Sequence, residues 1–433
     1  MNKTLRVGIA GLGTVGMGVI ALLARNSAAI AARAGQPIQV TAISARDPAK
    51  PRGADLSGCA WFDDPVALAQ SPDIDVFVEL IGGEEGPARA SVEAALAAGK
   101  NVVTANKALL ARHGMALARL AERNAATLAY EASVAGAIPV VKVLREGLAG
   151  NEVSRISGIL NGTCNYILSR MELEGLSFDA CLAEAQALGF AEAEPTFDIG
   201  GFDTAHKLAI LAALGFGIAI DADAIQIEGI ETISPADIKA ADELGYRIKL
   251  LGVAERTAHG IEQRVHPTMV PKSSPIAQVM GVTNAVMIDA DAAATLTLMG
   301  PGAGGAATAS AVVADLADIA RGWCLPVFGR PAGQLLQAER IPMQRHEGGY
   351  YIRLSVQDRP GAAAAIATRM AQRQISLESI VQHPARGAAP GAPVQVLLIT
   401  HATSEALVRE ALEAVVADGF VAQKPQVVRI ERE

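Results

Sequence analysis

Asp203 and Lys207 stand four residues apart in the run Asp203-Thr204-Ala205-His206-Lys207, which continues as Leu208-Ala209-Ile210-Leu211. At that spacing a carboxylate and an ammonium share one face of a helix. Most such pairs are plain surface ion pairs. Here, however, Glu192, Glu194 and Asp198 crowd the stretch just upstream, between Gly189 and Gly201. Acidic groups gathered around one lysine suit recognition of a substrate ammonium beside a proton donor.

A second candidate is Lys107, in Val103-Thr104-Ala105-Asn106-Lys107. A lysine that opens a helix at the carboxyl end of a parallel strand lies where such sheets bind ligands; elsewhere it would be an ordinary solvated charge. A third segment, Tyr130-Glu131-Ala132-Ser133-Val134-Ala135-Gly136-Ala137-Ile138-Pro139, reads as a small-residue turn with no chemistry of its own.

These groups need a scaffold, and the first ten dozen residues supply its pattern. Strands are expected at Leu5–Ala10, Ile38–Ala45, Asp75–Ile81 and Asn101–Ala105, with helices at Val15–Ala24 and Ala88–Ala98. Strands alternating with helices of this length imply a parallel sheet covered on both faces, a Rossmann-type α/β fold. Gly11, Gly13 and Gly16 give GxGxxG spacing between the first strand and its helix. Gly11 allows the tight turn, Gly13 lets a pyrophosphate approach the backbone, and Gly16 lets the helix pack close. The helix N-terminus offers free N–H groups to the phosphates. After the second strand comes Ser44-Ala45-Arg46-Asp47, without an acid at the usual ribose-binding position. Arg46 suits a 2′-phosphate, which favours NADP over NAD; a solvated Arg46 neutralised by Asp47 is the alternative.

Beyond Ala137 the texture changes. Helices are expected over Ala137–Leu148, Asn165–Glu174 and Thr204–Leu214, a strand at Ile248–Ala254, a glycine loop at Gly300–Gly305 and a helix at Ala306–Arg321. Residues Gly322–His346 read as a connector. The remainder, Gly349–Glu433, orders its strands and helices βαββαβ: Tyr350–Val356, Gly361–Arg373, Ile375–Gln382, Val394–His401, Ser404–Asp418 and Gln426–Ile430. That is a ferredoxin-like unit, expected to be complete in itself. Gly387–Pro393 is expected as a loop within it.

At 433 residues the chain exceeds one hydrophobic core. The expected division is 1–136 for the dinucleotide domain, completed by about 300–330. An α+β substrate and dimerisation domain follows over 137–299, then a return helix and connector over 300–348, and the ferredoxin-like unit over 349–433. A formal charge of −8 gives no basic footprint for nucleic acid or an acidic membrane. Cys59, Cys164, Cys181 and Cys324 are scattered, without metal or disulfide spacing. No signal region opens the sequence and no apolar run reaches the roughly 18 residues needed to span a bilayer, so a cytoplasmic location is expected.

Taken together, the motifs GLGTVG, VTANKALL, YEASVAGAIPVV, GILNGTCNYIL and GFAEAEPTFDIGGFDTAHKLAIL resemble homoserine dehydrogenase in type and order. The resemblance covers about residues 1–330. The tail, with Asp358-Arg359-Pro360-Gly361, resembles an ACT regulatory domain. No kinase segment precedes, which implies the monofunctional form. The family implies reversible NAD(P)H-dependent reduction of L-aspartate 4-semialdehyde to L-homoserine, within threonine, methionine and isoleucine biosynthesis. By resemblance Lys207 is the proton donor, Asp203 its partner, and Lys107 lies between cofactor and substrate. Glu192 and Asp198 hold the amino-acid substrate. Thr14, Val15, Arg46, Lys107 and Gly302 fall at cofactor contacts beside Gly11, Gly13 and Gly16. Glu131, Val134, Gly136 and Ile138 correspond to a sodium site that includes main-chain carbonyls. A homodimer or homotetramer is implied, with L-threonine as the expected effector of the ACT segment. Cys164 departs from the family, which commonly has a hydroxyl residue there; a buried inert thiol is expected.

Two other readings remain at this point. An acylating semialdehyde dehydrogenase would need a nucleophilic cysteine with a histidine base, and no cysteine motif suggests one. A nucleotide-sensing protein without catalysis would not need the Asp203/Lys207 pair.

Overall fold

The computed structural model describes residues 4–339, 341–383 and 392–431; most of the expected Gly387–Pro393 loop lies outside the described residues. The first 130 residues form a six-stranded parallel sheet from β1 (Leu5–Ala10), β2 (Ile38–Ser44), β3 (Ala60–Phe62), β4 (Val76–Glu79), β5 (Asn101–Thr104) and β6 (Leu128–Ala129). Its order is β3-β2-β1-β4-β5-β6. The chain therefore reverses direction across the sheet between β1 and β4, and the crevice at their carboxyl ends is where such folds bind ligands. The helices between them are α1 (Thr14–Arg25), α2 (Ser27–Ala34), α3 (Pro65–Gln70), α4 (Pro87–Ala97) and α5 (Lys107–Arg123). Their starts are set locally: Asp64 caps α3 through the Val66 N–H, and Asn106 caps α5 through the Leu109 N–H. β4 is buried throughout because helices cover both faces of the sheet.

After β6 the expected helix over Ala137–Leu148 is not continuous. Gly136 takes a left-handed φ of 56° and Pro139 follows. The helix begins only at α6 (Val140–Lys142) and then widens into a π turn, Val143–Gly147, where the Leu148 N–H reaches back to the Val143 carbonyl. A glycine in that conformation cannot sit within a helix, and a proline tolerates only its first turn.

The second sheet begins with β7 (Val153–Ile159), and on it lie α7 (Gly162–Glu174), α8 (Phe178–Ala187), the single turn α9 (Thr196–Ile199) and α10 (Phe202–Phe216). Then follow β8 (Gln226–Ile227), α11 (Pro235–Glu243), and a long hairpin of β9 (Tyr246–Thr257) and β10 (Gly260–Pro271). A second hairpin pairs β11 (Thr283–Ala290) with β12 (Ala294–Pro301). The sequence pattern marked only part of β9 and none of β11 or β12, and the expected glycine loop at 300 is in its first two residues the end of β12. α10 packs so closely on the sheet that a Cβ on Gly252 would meet Thr204 Cγ2 at 3.0 Å. The chain then returns as α12 (Gly305–Ala320) to pack on α1, where a Cβ on Gly18 would fall 2.9 Å from the Gly305 carbonyl.

The last part is β13 (Glu347–Val356), α13 (Ala362–Gln372), β14 (Leu377–His383), β15 (Val394–Thr400), the bridge strand β16 (Thr403–Ser404), α14 (Glu405–Ala417) and β17 (Gln426–Ile430). Its sheet runs β17-β13-β15-β14 with its own apolar core. The ferredoxin-like unit is complete, as expected, but it does not stand apart from the rest of the chain. β17 pairs in parallel with β10 at Thr268–Arg429 and Met269–Ile430, so both sheets form one sheet of eleven strands. Charge pairs with one buried partner each cross the seam: Arg353 and the Tyr351 hydroxyl bind Asp237, Arg264 binds Glu431, and Arg429 binds Glu228. No single helix among the described residues is long and apolar enough to cross a membrane; α1 and α2 are so only jointly and meet at 84°.

Candidate active site

The crevice begins at the glycine turn. Gly11 has φ 101°, and a Cβ there would lie 2.3 Å from the Leu80 carbonyl oxygen, so only glycine fits between β1 and β4. A Cβ on Gly16 would lie 2.1 Å from the Gly11 carbonyl oxygen. Gly13 and Thr14 stand exposed at the start of α1, and a Cβ on Gly13 would meet nothing within 4 Å. The Gly11 N–H is spent on the Ser44 carbonyl, while the start of α1 opens onto free space, an arrangement that fits a dinucleotide pyrophosphate. Val15 is half buried behind them. Gly302 closes the far side, with a Cβ there falling 2.0 Å from Asn284 Nδ2.

At the end of β2, Arg46 is exposed. Asp47 turns its carboxylate to the Ala49 N–H, 2.9 Å away, and no ion pair joins it to Arg46 among the described residues.

Lys107 is aimed by a chain of hydrogen bonds rooted in β4. Glu79, wholly buried, accepts from the Ile81 and Gly82 N–H groups and from the Thr104 hydroxyl at 2.6 Å. Thr104 in turn accepts from the Asn106 N–H, and the Asn106 amide donates to the Gly83 carbonyl. The junction of β5 and α5 is thus fixed, and Lys107 begins α5 with its Nζ 2.9 Å from Asp203 Oδ1.

The other oxygen of that carboxylate meets Lys207. Its Nζ lies 2.7 Å from Asp203 Oδ2 and 2.7 Å from the Leu160 carbonyl. Asp203 and Lys207 are 3% and 8% exposed, so the surface-pair alternative is excluded. Asn161, the N-cap of α7, donates from one nitrogen to Asp203 Oδ2 and Asp198 Oδ1, both at 2.9 Å. His206 packs edge-on against Phe197. Glu192 is exposed at the rim and acts on Lys107 only through its charge.

The two lysines titrate in opposite directions. Burial is the strongest influence on each and favours the neutral amine. At Lys207 it prevails, aided by Lys107, and the pKa is lowered despite Asp203. At Lys107, Asp203, Asp198 and Glu192 together outweigh it, and the pKa is raised. For Asp203 burial works toward the neutral acid, but the two ammonium groups overcome it and hold the carboxyl far below its usual range. Burial and the Asp203 charge push Asp198 up. Cys164, buried and donating to the Asp198 carbonyl, is pushed well up by burial.

The turn at 131–138 lies behind the crevice, and a Cβ on Gly136 would fall 2.5 Å from the Gly302 carbonyl carbon. Glu131 spends both carboxylate oxygens on the Val141 and Lys142 N–H groups, while its own N–H donates to Asp315. The Ile138 carbonyl accepts from the Val140 N–H. Burial, then mutual repulsion with Asp315, raises Glu131 to about 7; burial raises Asp315 to about 6. Lys142 is the ammonium nearest both. This excess of buried negative charge fits a monovalent cation held by oxygens of the turn. Among the described residues no group of three or more His, Cys, Asp or Glu could hold a metal through side chains.

Sequence reasoning assigned no role to Asn161, Glu79 or Asp315. Glu79 carried a signal, a lone acid ending an apolar strand; Asp315 carried a weaker one, an acid on an apolar helix.

Three family descriptions match the chain: homoserine dehydrogenase over residues 139–317, its NAD-binding domain over 11–131, and the ACT domain over 350–417. A homoserine dehydrogenase of Pseudomonas aeruginosa is 44% identical over 436 residues, 99% of each chain. The crystal structure of one from Thiobacillus denitrificans superimposes with a TM-score of 0.93 at 43% identity, covering 99% of this chain and 98% of that one. A hyperthermophilic archaeal homoserine dehydrogenase in complex with NADPH matches with a TM-score of 0.62 at 26% identity, over 74% of this chain and 99% of its own.

Proposed function

The chain belongs to the homoserine dehydrogenase family, a family of oxidoreductases, and we propose that it interconverts L-aspartate 4-semialdehyde and L-homoserine with NADP(H), NAD being the second choice. The observation that carries this reading is the Lys107–Asp203–Lys207 constellation at the lip of a dinucleotide crevice.

A bound reduced nicotinamide supplies the hydride to the aldehyde carbon. Negative charge then grows on the carbonyl oxygen, and Lys207 stabilises it and delivers the proton that completes the hydroxyl. Two of its N–H bonds are engaged by Asp203 and Leu160, which orients the third. Asp203 keeps both ammonium groups in place, and Lys107 stands between cofactor and substrate. Asp198 and Glu192 take the substrate ammonium. Gly11, Gly13, Thr14, Val15, Gly16, Lys107 and Gly302 line the cofactor, with Arg46 toward a 2′-phosphate. The NADPH bound to the archaeal relative supports that choice. A sodium ion belongs at the turn of Glu131, Val134, Gly136 and Ile138, where main-chain oxygens would hold it and its charge would offset Glu131 and Asp315.

In this reading 1–136 with the return segment binds the dinucleotide, 137–299 the substrate, and 349–433 an effector. The ACT segment has a cavity of about 310 Å³ bounded by Asp358, Arg359, Gly361 and Gln382, which supports amino-acid binding, L-threonine first. The outermost strand β12 leaves Met299 62% exposed, which supports pairing into a homodimer or homotetramer. The setting is cytoplasmic biosynthesis of threonine, methionine and isoleucine. Spectroscopic assay of NADP and NAD reduction with L-homoserine tests the reading; no reduction with either cofactor overturns it.

A further inference from the structure

The loop that carries the substrate carboxylates is long and rich in glycine, yet the first turn of α7 pins it along its length. The Thr163 hydroxyl donates to the Phe190 carbonyl at 2.6 Å, and the Cys164 thiol to the Asp198 carbonyl at 3.2 Å. Asn161 makes the remaining contacts. Its Oδ1 accepts from the Cys164 N–H at 2.8 Å, which fixes the amide plane. Its two N–H bonds are then directed at Asp198 and Asp203, one each. Asn161 is 5% exposed, so water does not compete for these bonds.

Helix capping alone does not account for this. An N-cap needs only an acceptor, and serine or aspartate serves as well as asparagine. The Nδ2 group is surplus to the cap and spans two like charges. One belongs to the residue expected to hold the substrate ammonium; the other holds the proton donor Lys207. Because both oxygens lie 2.9 Å from the same nitrogen, the amide holds the two carboxylates at a fixed spacing.

We infer that Asn161 is a positioning residue whose amide sets the spacing of Asp198 and the Asp203–Lys207 pair and so selects substrates by the number of carbons between ammonium and aldehyde. The inference rests on the reading of Asp198 as ammonium anchor. The charged and titratable groups facing the pair are Lys107 on α5, Asp198 on α9, Cys164 on α7 and His206 on α10, while Glu192 acts on Lys107. Among the described residues, Asn161 is the side chain that donates to both Asp198 and Asp203.

The test compares Asn161→Ser and Asn161→Asp in the full-length enzyme. Both keep a capping oxygen and lose the double donor. L-Homoserine and its one-carbon-longer homologue, L-2-amino-5-hydroxypentanoate, are the substrates. KM for L-homoserine is expected to rise about tenfold or more in both variants with KM for NADP unchanged, as for a lost hydrogen bond to a charged group. Preference for L-homoserine over its homologue in kcat/KM is expected to fall by a similar factor. In Asn161→Asp the added carboxylate should also move the alkaline limb of aldehyde reduction to higher pH, because it favours the charged form of Lys207. Asn161→Ser introduces no charge and keeps the comparison available if Asn161→Asp does not fold. Kinetics and chain-length preference within twofold of the parent in a folded variant would overturn the inference. An Asp198→Asn control separates the two claims: unchanged KM there removes the anchor reading, whereas a raised KM with inert Asn161 variants removes only the role of Asn161.

Discussion

Lys107 and Lys207 are held by opposite oxygens of one carboxylate, at 2.9 and 2.7 Å, yet burial lowers the pKa of one while its acidic neighbours raise that of the other. Lys107 is 34% exposed in its side chain and Lys207 only 10%. The two ammonium groups thus share one carboxylate, the more exposed one with its pKa raised and the buried one with its pKa lowered.

Aldehyde reduction needs the ammonium form of Lys207, so its rate should fall as pH rises through the lowered pKa. Homoserine oxidation needs the amine and should gain over the same interval. Asp203→Asn removes the attraction that holds this pKa up, and both limbs should move to lower pH. Lys207→Ala should cost roughly 10²–10⁴ in kcat with NADP affinity nearly intact. Near-native turnover in Lys207→Ala would sink the assignment, as would unmoved pH limbs in Asp203→Asn.

Arg46 is exposed and Asp47 is engaged elsewhere, so the guanidinium is available to a 2′-phosphate. Arg46→Ala should raise KM for NADP by about 10- to 100-fold, as for a lost charge-assisted contact. KM for NAD should barely change. Equal losses with both cofactors would assign Arg46 to the fold.

Burial raises the carboxyl pKa values of Glu131 and Asp315 in the folded state, to about 7 and about 6, from their ordinary values of 4.5 and 3.8. The native state thus binds more protons between the ordinary and the raised values, and stability should fall as pH rises from 3.8 through about 7. A cation at the turn opposes this loss. Sodium chloride should raise the melting temperature at pH 8 more than at pH 5, relative to choline chloride at equal ionic strength. An equal effect at both pH values would count against a sodium site.

Cys164 and Cys181 are buried, and burial raises both thiols, whereas Cys324 is exposed. Maleimide labelling of the native enzyme followed by mass spectrometry should modify Cys324 first and leave Cys164 untouched. Early labelling of Cys164 with loss of activity would show that the first turn of α7 opens in solution.

The ACT segment is not expected to be removable. A chain cut after residue 345 takes Arg353 from Asp237 and Glu431 from Arg264, which keeps Glu262, and bares the edge of β10. A free strand edge invites aggregation. The truncated protein should be largely insoluble, and a soluble, active core would refute this account. The effector claim is then tested on the full chain. L-Threonine should bind by calorimetry and inhibit at millimolar concentration, more weakly after Asp358→Ala; neither binding nor inhibition would leave the segment a purely structural module.

What could be read from sequence was local. The spacing of Gly11, Gly13 and Gly16 encodes a turn within six residues, and the alternation of the first hundred residues encodes a parallel sheet. The Asp203/Lys207 spacing showed a shared helix face but not its burial, since an apolar helix reads alike whether one side or every side is covered. Lys107 reaches Asp203 from a different domain, and no periodicity records that. Asn161 lay in a quoted motif, but an asparagine before a helix reads first as a cap. The helix expected from Ala137 begins only at Val140, because Gly136 just before it takes a left-handed φ and Pro139 fits only at the entry to a helix. The β10–β17 pairing rests on two residue pairs within long strands and leaves no local mark.

That pairing also has a consequence for biosynthesis. When β10 leaves the ribosome, its future neighbour has not been made: β11, β12, α12 and nearly all of the ACT segment must be translated first. Through that interval the substrate half carries an open strand edge with Arg264 lacking Glu431 and Asp237 lacking Arg353. A nascent chain in this state is a client for chaperones. Substitutions in the ACT segment that weaken β17 should therefore register as lost yield of enzyme, with normal specific activity in the molecules that close the seam.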